Sequence, residues 1–204
     1  MSPADALDVK RLTQALSNQC IGQAVVVLQQ AASTNDIVFA MAAENDEGLV
    51  VFAERQTAGR GQHGRRWESP LGKGLWFSVL LRPNIPPSES PGLTSWAART
   101  IAETIARELG LPAIVKPPND VYIADRKVAG VLLEMRAVPG APHLGILGIG
   151  LNVSQTADDF PQEIRRTATS LTLASGKPID RHSIAISILR DLDRTYAQAR
   201  ALSS

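Results

Sequence analysis

The stretch Gln56-Thr-Ala-Gly-Arg-Gly-Gln-His-Gly-Arg-Arg-Trp67 separates two short apolar runs, Leu49–Ala53 and Gly74–Leu81. Both runs are rich in β-branched or aromatic residues, which predicts two buried strands with a basic loop between them. The glycines of this Gly-Arg loop (residues 56–67) let the backbone approach a ligand closely, and its arginines supply planar donors for a carboxylate or phosphate. We expect the loop to bind an anion.

Other interpretations of the Gly-Arg loop exist at this level. Mixed glycine and arginine also occur in flexible RNA-binding segments and in solvated hairpins. The loop has neither the G-x-G-x-x-G fingerprint at the start of a helix nor the Gly-Lys-Ser/Thr ending of a P-loop. Its glycines favour an open state entropically, so we expect the loop to be disordered until an anion binds.

Composition sets the frame for the whole chain. With 204 residues, 44% hydrophobic and 20% charged, residues 1–204 are predicted to form a single domain. The net charge of +1 gives no general attraction to nucleic acid or to an anionic membrane. The single cysteine, Cys20, excludes an internal disulfide, and no segment has the pattern of a signal peptide or membrane span. We expect a soluble, cytoplasmic protein.

Periodicity predicts the remaining elements. Helical spacing is found over residues 4–17, 36–45 and 93–109 and again after Asp180, the expected N-cap of the last helix. Apolar runs predict strands over residues 24–28 and 113–115, followed by a hairpin with strands within residues 115–123 and 127–134 and a turn at residues 124–126.

Two groups of polar residues stand out in this framework. Residues 33–35, Ser-Thr-Asn, either cap the helix that follows or point hydroxyl and amide groups into a pocket. Lys116, Asn119, Asp120 and Lys127 interrupt the apolar strands of the hairpin. A single lysine at a hairpin end is usually just solvated, but an acid and two lysines close to a Gly-Arg loop favour a functional site.

Four motifs in order resemble those of biotin protein ligases: residues 59–67, Lys116-Pro-Pro-Asn-Asp120, Lys127-Val-Ala-Gly-Val-Leu-Leu-Glu134 and Gly148-Ile-Gly-Leu-Asn-Val153. Ser33-Thr-Asn35 and Ala168-Thr-Ser-Leu171 are similar to two further motifs of that family. The resemblance extends from about Val25 to the end of the chain. It implies an α+β fold in which helices flank a mixed central sheet, related to class II aminoacyl-tRNA synthetases and lipoate ligases.

The resemblance also implies a two-step reaction. Biotin and MgATP give biotinyl-5′-AMP, and a lysine of a biotin carboxyl carrier protein then accepts the biotinyl group. Fixed cations and Mg²⁺ would offset the repulsion between the biotin carboxylate and the α-phosphate. No protein metal cage is expected, because Mg²⁺ would be held with the phosphates of ATP.

Site residues follow from the same resemblance. Lys127 would be the catalytic lysine between carboxylate and α-phosphate, Arg60 would grip either anion, and Asp120 would hold Mg²⁺ or orient a lysine. Biotin would be bound by Ser33, Thr34, Asn35, Gln56, Gly59, Arg60, Gly61, Lys127 and Gly130. The nucleotide would be bound by Arg65, Trp67, Lys116, Asn119, Asp120 and Asn152, with Lys116 supporting Lys127 from the neighbouring strand.

The chain departs from the family pattern in three places, one of which is Gln62 and His63, at loop positions that are basic in some members. Ala32 stands where an acidic residue is common, and Pro117 replaces a tryptophan, which would change pocket shape and with it acyl specificity or affinity. We expect no N-terminal winged helix, hence no DNA binding, and no complete C-terminal SH3-like barrel. The departures keep two alternatives open: a ligase-derived protein that binds biotin or another carboxylate without transfer, and a lipoate or octanoate ligase. Whether the chain forms a homodimer is also open.

Overall fold

The computed structural model describes residues 6–136 and 143–201. Within these residues the helices are α1 (Val9–Leu16), α2 (Thr34–Met41), α3 (Ser90–Leu109), α4 (Leu171–Ser175) and α5 (Arg181–Ala201). The strands are β1 (Ala24–Leu28), β2 (Leu49–Ala53), β3 (Gly74–Leu81), β4 (Ala113–Lys116), β5 (Asp120–Ile123), β6 (Arg126–Arg136) and β7 (Leu144–Asn152).

The strands form one mixed sheet in the order β1-β2-β3-β7-β6-β5-β4. β1 pairs with β2 in parallel, and the other neighbours pair antiparallel. At the centre of the sheet, Ser78 of β3 lies opposite Gly148 of β7, and Gly150 of β7 lies opposite Gly130 of β6. The expected α+β fold with a mixed sheet is confirmed.

The two faces of the sheet are covered differently. On one face, α1, α3 and α5 build the main core, in which Ile101 and Leu189 are fully buried. On the other face, Val38 of α2 is fully buried in a smaller cluster that includes Leu80 and Ile146. Because α2 is short, it leaves the part of this face near β6 free of helix. The site described below occupies that part.

Most element boundaries follow the sequence prediction. The strands at residues 24–28, 49–53 and 74–81 lie where they were expected, and Asp180 precedes α5 and accepts a hydrogen bond from the His182 amide, as an N-cap does. Helix α3 begins at Ser90, three residues earlier than predicted, because a proline is tolerated in the first turn of a helix. It ends at Gly110, which adopts the left-handed conformation with φ 66°.

Other predicted boundaries differ as well. The hairpin turn is shorter than residues 124–126, because Ala124 and Asp125 both take positive φ values, 47° and 59°, as the central pair of a two-residue turn does. Helix α2 spans Thr34–Met41 instead of residues 36–45. Helix α1 begins at Val9 after the Asp8 cap, and the first two residues of its predicted span, 4 and 5, lie outside the described residues. Throughout the described ranges, every helix is too short or too polar to cross a membrane.

Candidate active site

A β-bulge in the hairpin decides where Lys127 points. Asp120 pairs with Gly130 and Val121 with Ala129, but Tyr122 pairs with Lys127, so Val128 is an extra residue on β6. Residues three apart on a regular strand face opposite sides of a sheet. The extra residue reverses this alternation, so Lys127 and Gly130 face the same side as Asp120.

Lys127 forms an ion pair with Asp120 on the neighbouring strand, β5. The Nζ of Lys127 lies 2.7 Å from Oδ1 of Asp120, and both side chains are less than one-third exposed. The same ammonium lies 5.1 Å from the centre of the Trp67 ring, within range of a cation–π contact. Lys127 is therefore held as a fixed positive charge.

Three glycines on neighbouring strands form a floor without side chains. A Cβ on Gly148 would collide with the Asn35 amide, and a Cβ on Gly150 would collide with the Trp67 indole. A Cβ on Gly130 would lie 2.9 Å from Trp67, which is also too close. The floor lets Asn35 and Trp67 lie directly on the sheet.

Two adjoining cavities lie over this floor. The narrow cavity, of about 40 Å³, is lined by Ser33, Thr34, Asn35, Gln56, Arg60, Gly130, Leu132 and Gly148, among others. The wide cavity, of about 470 Å³, is lined by Arg65, Pro117, Pro118, Tyr122, Asn152, Gln155 and Phe160, among others. Gly61, Gln62, Trp67, Asn119 and Lys127 line both. Lys127 and Trp67 thus stand where the two cavities meet.

A continuous set of hydrogen bonds lines the narrow cavity. Thr34 Oγ1 lies 2.7 Å from Ser78 Oγ, which donates to Asn35 Oδ1 at 2.5 Å. Asn35 Nδ2 donates to Glu134 at 2.6 Å. Gln56 accepts from the Thr34 amide at 2.8 Å through Oε1.

The sequence left open whether residues 33–35 cap helix α2 with a side chain. They do not, because Ser33 occupies the N-cap position without a side-chain hydrogen bond.

The Gly-Arg loop folds back over the narrow cavity. The Gly61 amide donates to the Arg65 carbonyl at 2.7 Å and the Trp67 amide to the Gly59 carbonyl at 2.9 Å, which makes an irregular hairpin. In place of the expected disorder, the loop takes a defined conformation, because Arg60 ties it to other elements.

Arg60 already has two carboxylate partners. Its guanidinium donates to both Asp36 oxygens, at 2.8 and 2.7 Å, and to Glu134 at 3.1 Å. The hydrogen bonds between Arg60 and Asp36 lower the pKa of Asp36 and raise that of Arg60. An incoming anion would therefore compete with Asp36 and Glu134 for this arginine.

Most predicted site residues come together, but Lys116 does not. Its Nζ lies 3.3 Å from Asp125 and 4.2 Å above the Tyr122 ring, and Lys116 lines neither cavity. The expectation that Lys116 supports Lys127 from the neighbouring strand is not met, because β5 lies between β4 and β6. Gly59 lies beside the cavities, with its carbonyl bonded to the Trp67 amide.

Two of the residues predicted to bind the nucleotide, Asn119 and Asn152, already form hydrogen bonds within the protein. Asn152 donates to the Thr169 carbonyl at 3.0 Å and accepts from Gln155 at 2.7 Å. Asn119 donates to the Val131 carbonyl at 2.9 Å. Both are buried wall residues, whereas Arg65 is exposed at the wide cavity.

Sequence reasoning missed four contributors to the site: Ser78, Glu134, Gly148 and Gly150. Two glycines alternating in an apolar strand are a signal for close approach to a backbone, and this signal could have been used. A serine within an apolar strand such as β3 is a weaker sign. The role of Glu134 depends on partners from α2 and the loop, which no local pattern reveals.

A glycine floor lies beneath a polar cavity, and Lys127 places a cation where this cavity meets a wider one, an arrangement suited to binding anionic groups. A sequence profile of the biotin/lipoate A/B protein ligase family matches residues 27–152. The chain belongs to this family.

Individual relatives are biotin ligases. The bifunctional ligase/repressor BirA of Bacillus spizizenii is 40% identical over 182 residues, covering 89% of this chain and 56% of its own length. The biotin–[acetyl-CoA-carboxylase] ligase of Mycobacterium tuberculosis is 34% identical over 211 residues, covering 98% of this chain and 76% of its own. The chain thus spans little more than half the length of the Bacillus relative.

A solved structure shows the same fold. The biotin protein ligase of Aquifex aeolicus in complex with biotin and ATP superposes with a TM-score of 0.75 at 31% identity. The match covers 89% of this chain and 73% of that one.

Proposed function

We propose that the chain is an ATP-dependent biotin protein ligase, which forms biotinyl-5′-AMP and transfers biotin to a lysine of a biotin carboxyl carrier protein. The observation that carries the proposal is the position of Lys127 between the narrow and the wide cavity. Biotin would lie in the narrow cavity and ATP in the wide one. Relatives of known activity and a biotin and ATP complex support the assignment.

Lys127 would stabilise the charge that builds up in the first step. The biotin carboxylate attacks the α-phosphate of ATP, an acyl–phosphate bond forms, and pyrophosphate leaves. Both reactants are anions, so a cation fixed between them lowers their repulsion and stabilises the transition state. Asp120 contributes by holding the ammonium in place at 2.7 Å.

The polar lining of the narrow cavity suits the ureido ring of biotin. Thr34, Asn35 and Gln56 present hydroxyl and amide groups that pair with the ring N–H and C=O groups. The dithiolane of lipoate and the alkyl chain of octanoate have no hydrogen-bond donors, so they would bring no partner for the hydrogen-bonding positions that these groups leave free for a ligand. The lining therefore favours biotin over either alternative acid.

Magnesium would arrive with the nucleotide. Among the described residues there is no group of three or more His, Cys, Asp or Glu side chains that could hold a metal ion. The wide cavity instead carries Arg65 and Lys127, which suit phosphates. When bound, Mg²⁺ would neutralise charge on the ATP phosphates, which provide its oxygen ligands.

The second step needs no nucleophile from this chain. The amine of the carrier lysine attacks the acyl carbon of biotinyl-AMP, an amide forms, and AMP leaves with its phosphate. Trp67, which lines both cavities and packs on the glycine floor, would form a wall beside the adenylate. Exclusion of water there would protect the acyl-adenylate from hydrolysis.

The test separates the two steps. The purified chain is incubated with biotin and MgATP, with lipoate and octanoate as competing acids, and biotinyl-AMP and pyrophosphate are measured. A biotin carboxyl carrier domain is then added and its mass shift recorded, with a lysine-to-arginine carrier variant as control. We expect adenylate formation with biotin and a mass shift only of the unsubstituted carrier.

Three other outcomes would overturn the proposal in different ways. Biotin binding without adenylate would make the chain a ligase-derived binding protein. Adenylate without transfer would restrict its role to activation. Preferred activation of lipoate or octanoate would change its substrate.

A further inference from the structure

We propose that Glu134 is a positioning residue that sets the hydrogen-bond polarity of the narrow cavity and couples it to the Gly-Arg loop. This inference rests on the proposed function for the identity of the ligand. Glu134 was noted in the sequence only as the end of a motif. In the structure one of its oxygens, Oε2, accepts from both Asn35 and Arg60.

The first role concerns the orientation of Asn35. A carboxylate only accepts hydrogen bonds, so the Asn35 amide must turn its NH₂ group to Glu134 and its oxygen to Ser78. The two contacts, 2.6 and 2.5 Å long, hold both ends of this amide. Asn35 is buried and packs directly against Gly148.

The orientation of Asn35 fixes the protons further along the chain. Ser78 has one hydroxyl proton, and it is donated to Asn35 Oδ1. The Thr34 hydroxyl then has two acceptors for its own proton, Ser78 Oγ at 2.7 Å and Gln56 Oε1 at 3.1 Å. Thr34 thereby uses its only hydroxyl proton, and the remaining lone pair on Oγ1 makes it an acceptor for a ligand.

A chemical preference follows from this polarity. The narrow cavity needs a head group that brings an N–H donor to Thr34, as the cyclic urea of biotin does. A head group that offers only acceptors would face the Thr34 oxygen without a proton between them. Gln56 contributes to this preference directly, and Glu134, which does not line the narrow cavity itself, contributes to it through Asn35 and Ser78.

The second role concerns the loop. Arg60 reaches Glu134 from the Gly-Arg loop at 3.1 Å and shares its remaining donors with Asp36. Closure of the loop over the narrow cavity and orientation of Asn35 therefore depend on the same carboxylate. Asp36 contributes only to closure of the loop, and Ser78 contributes only to the orientation of Asn35.

Three substitutions separate the two roles. Glu134→Gln removes the charge and lets the side chain donate as well as accept hydrogen bonds. It therefore affects both the orientation of Asn35 and the contact with Arg60. Ser78→Ala breaks the hydrogen-bond chain and leaves Arg60 paired. Asp36→Asn weakens the Arg60 contacts and leaves the chain intact. Asp125→Asn is the control, because it also removes one carboxylate but at a side chain that is 90% exposed.

Two measurements report on the two roles. Calorimetric titration without ATP gives the affinity for biotin and for desthiobiotin, which keeps the cyclic urea. Limited trypsin digestion, followed by mass spectrometry, gives the rate of cleavage after Arg60, Arg65 and Arg66 in the loop. ATP affinity and the thermal midpoint are recorded for every variant, because a general loss of packing would change these as well.

We expect Glu134→Gln to bind both ureas about tenfold more weakly, as the loss of the partly buried charge-assisted hydrogen bond to Asn35 would cause, and to be cut severalfold faster. Ser78→Ala should lose similar affinity at an unchanged cleavage rate. Asp36→Asn should be cut faster while its biotin affinity changes less than about threefold. Asp125→Asn should behave as wild type.

The inference is overturned if Glu134→Gln keeps wild-type affinity and cleavage, or if Ser78→Ala binds biotin normally. It is also overturned if ATP affinity falls as much as biotin affinity in Glu134→Gln. If the wild-type chain binds no biotin, the proposed function fails, and the trypsin rates alone decide whether Glu134 holds the loop.

Discussion

The Nζ of Lys127 and the Oδ1 of Asp120 lie 2.7 Å apart at the boundary of two cavities, although the two residues are not paired across their strands. Asp120 is paired with Gly130, and the absence of a side chain there leaves room for the Lys127 stem, 3.3 Å from where a Cβ would be. The position of the cation thus depends on a bulge and a glycine together.

Lys127→Ala should abolish most adenylate formation while biotin still binds. Loss of a preorganised charge at a developing anion costs about 10²–10³ in rate. The matched control is Lys116→Ala, because Lys116 pairs with Asp125 outside both cavities and should change the rate less than about threefold. Biotin-dependent and ATP-dependent release of pyrophosphate measures both variants, and equal losses would contradict the assignment.

Gly148→Ala and Gly150→Ala should damage the site to different extents. A methyl group on Gly148 displaces Asn35 and should weaken biotin binding, whereas a methyl group on Gly150 displaces Trp67, which lines both cavities, and should weaken ATP binding as well as biotin binding. Each effect should be about tenfold or more, because buried side chains must shift. Separate titrations of the two ligands test this, and each variant is the control for the other.

The buried pair of Glu54 and Arg181 should be a major element of stability. Arg181 donates to both Glu54 oxygens at 2.8–3.0 Å, and Glu54 also accepts from the Leu7 amide at 2.7 Å. Removing either partner leaves a buried charge, which costs about 3–5 kcal/mol. Urea unfolding of Glu54→Met, Arg181→Met and the double variant forms a thermodynamic cycle. The double variant should lose much less free energy of unfolding than the two single variants lose together. A loss equal to their sum would argue against an interaction between Glu54 and Arg181.

Asp180 should make the protein less stable at low pH. Burial alone would raise its pKa, but hydrogen bonds from Ser183, Arg11 and the His182 amide outweigh burial and lower the pKa to about 2. Since the folded-state pKa lies below the ordinary value of 3.8, the stabilisation is complete above that value and is lost as pH falls towards 2.

Urea midpoints at pH 6 and pH 3 for wild type and Asp180→Asn measure this dependence. The difference between the two proteins should be largest at pH 6 and smaller at pH 3, and it stays modest because the Asp180 and Arg11 side chains are about half exposed. Asp125→Asn serves as the control that removes one exposed carboxylate elsewhere in the chain. A gap that widens with acid would contradict the assignment.

Local patterns in the sequence were enough to predict much of the fold. The strands at residues 49–53 and 74–81 matched because each is a short apolar run between polar or glycine-rich segments. The resemblance to biotin protein ligases also implied that Ser33, Thr34, Asn35 and Gln56 would gather around one pocket, and all four line the narrow cavity.

Features that depend on register were not predictable in the same way. Lys116 was expected to support Lys127, but the sheet order places β5 between their strands. Pro117 lines the wide cavity, and its effect on acyl specificity or affinity stays a prediction. The Lys116 expectation was wrong because residues close in sequence need not lie on adjacent strands.

The extra residue at Val128 has a consequence for how this segment can vary. Side-chain direction along β6 changes with every residue, so the count between Lys127 and Gly130 matters more than the chemistry of the residues in between. A deletion of one residue there would turn the lysine to the opposite face of the sheet and remove its charge from the site as fully as a substitution. We therefore expect this segment to accept changes of side chain far more readily than changes of length.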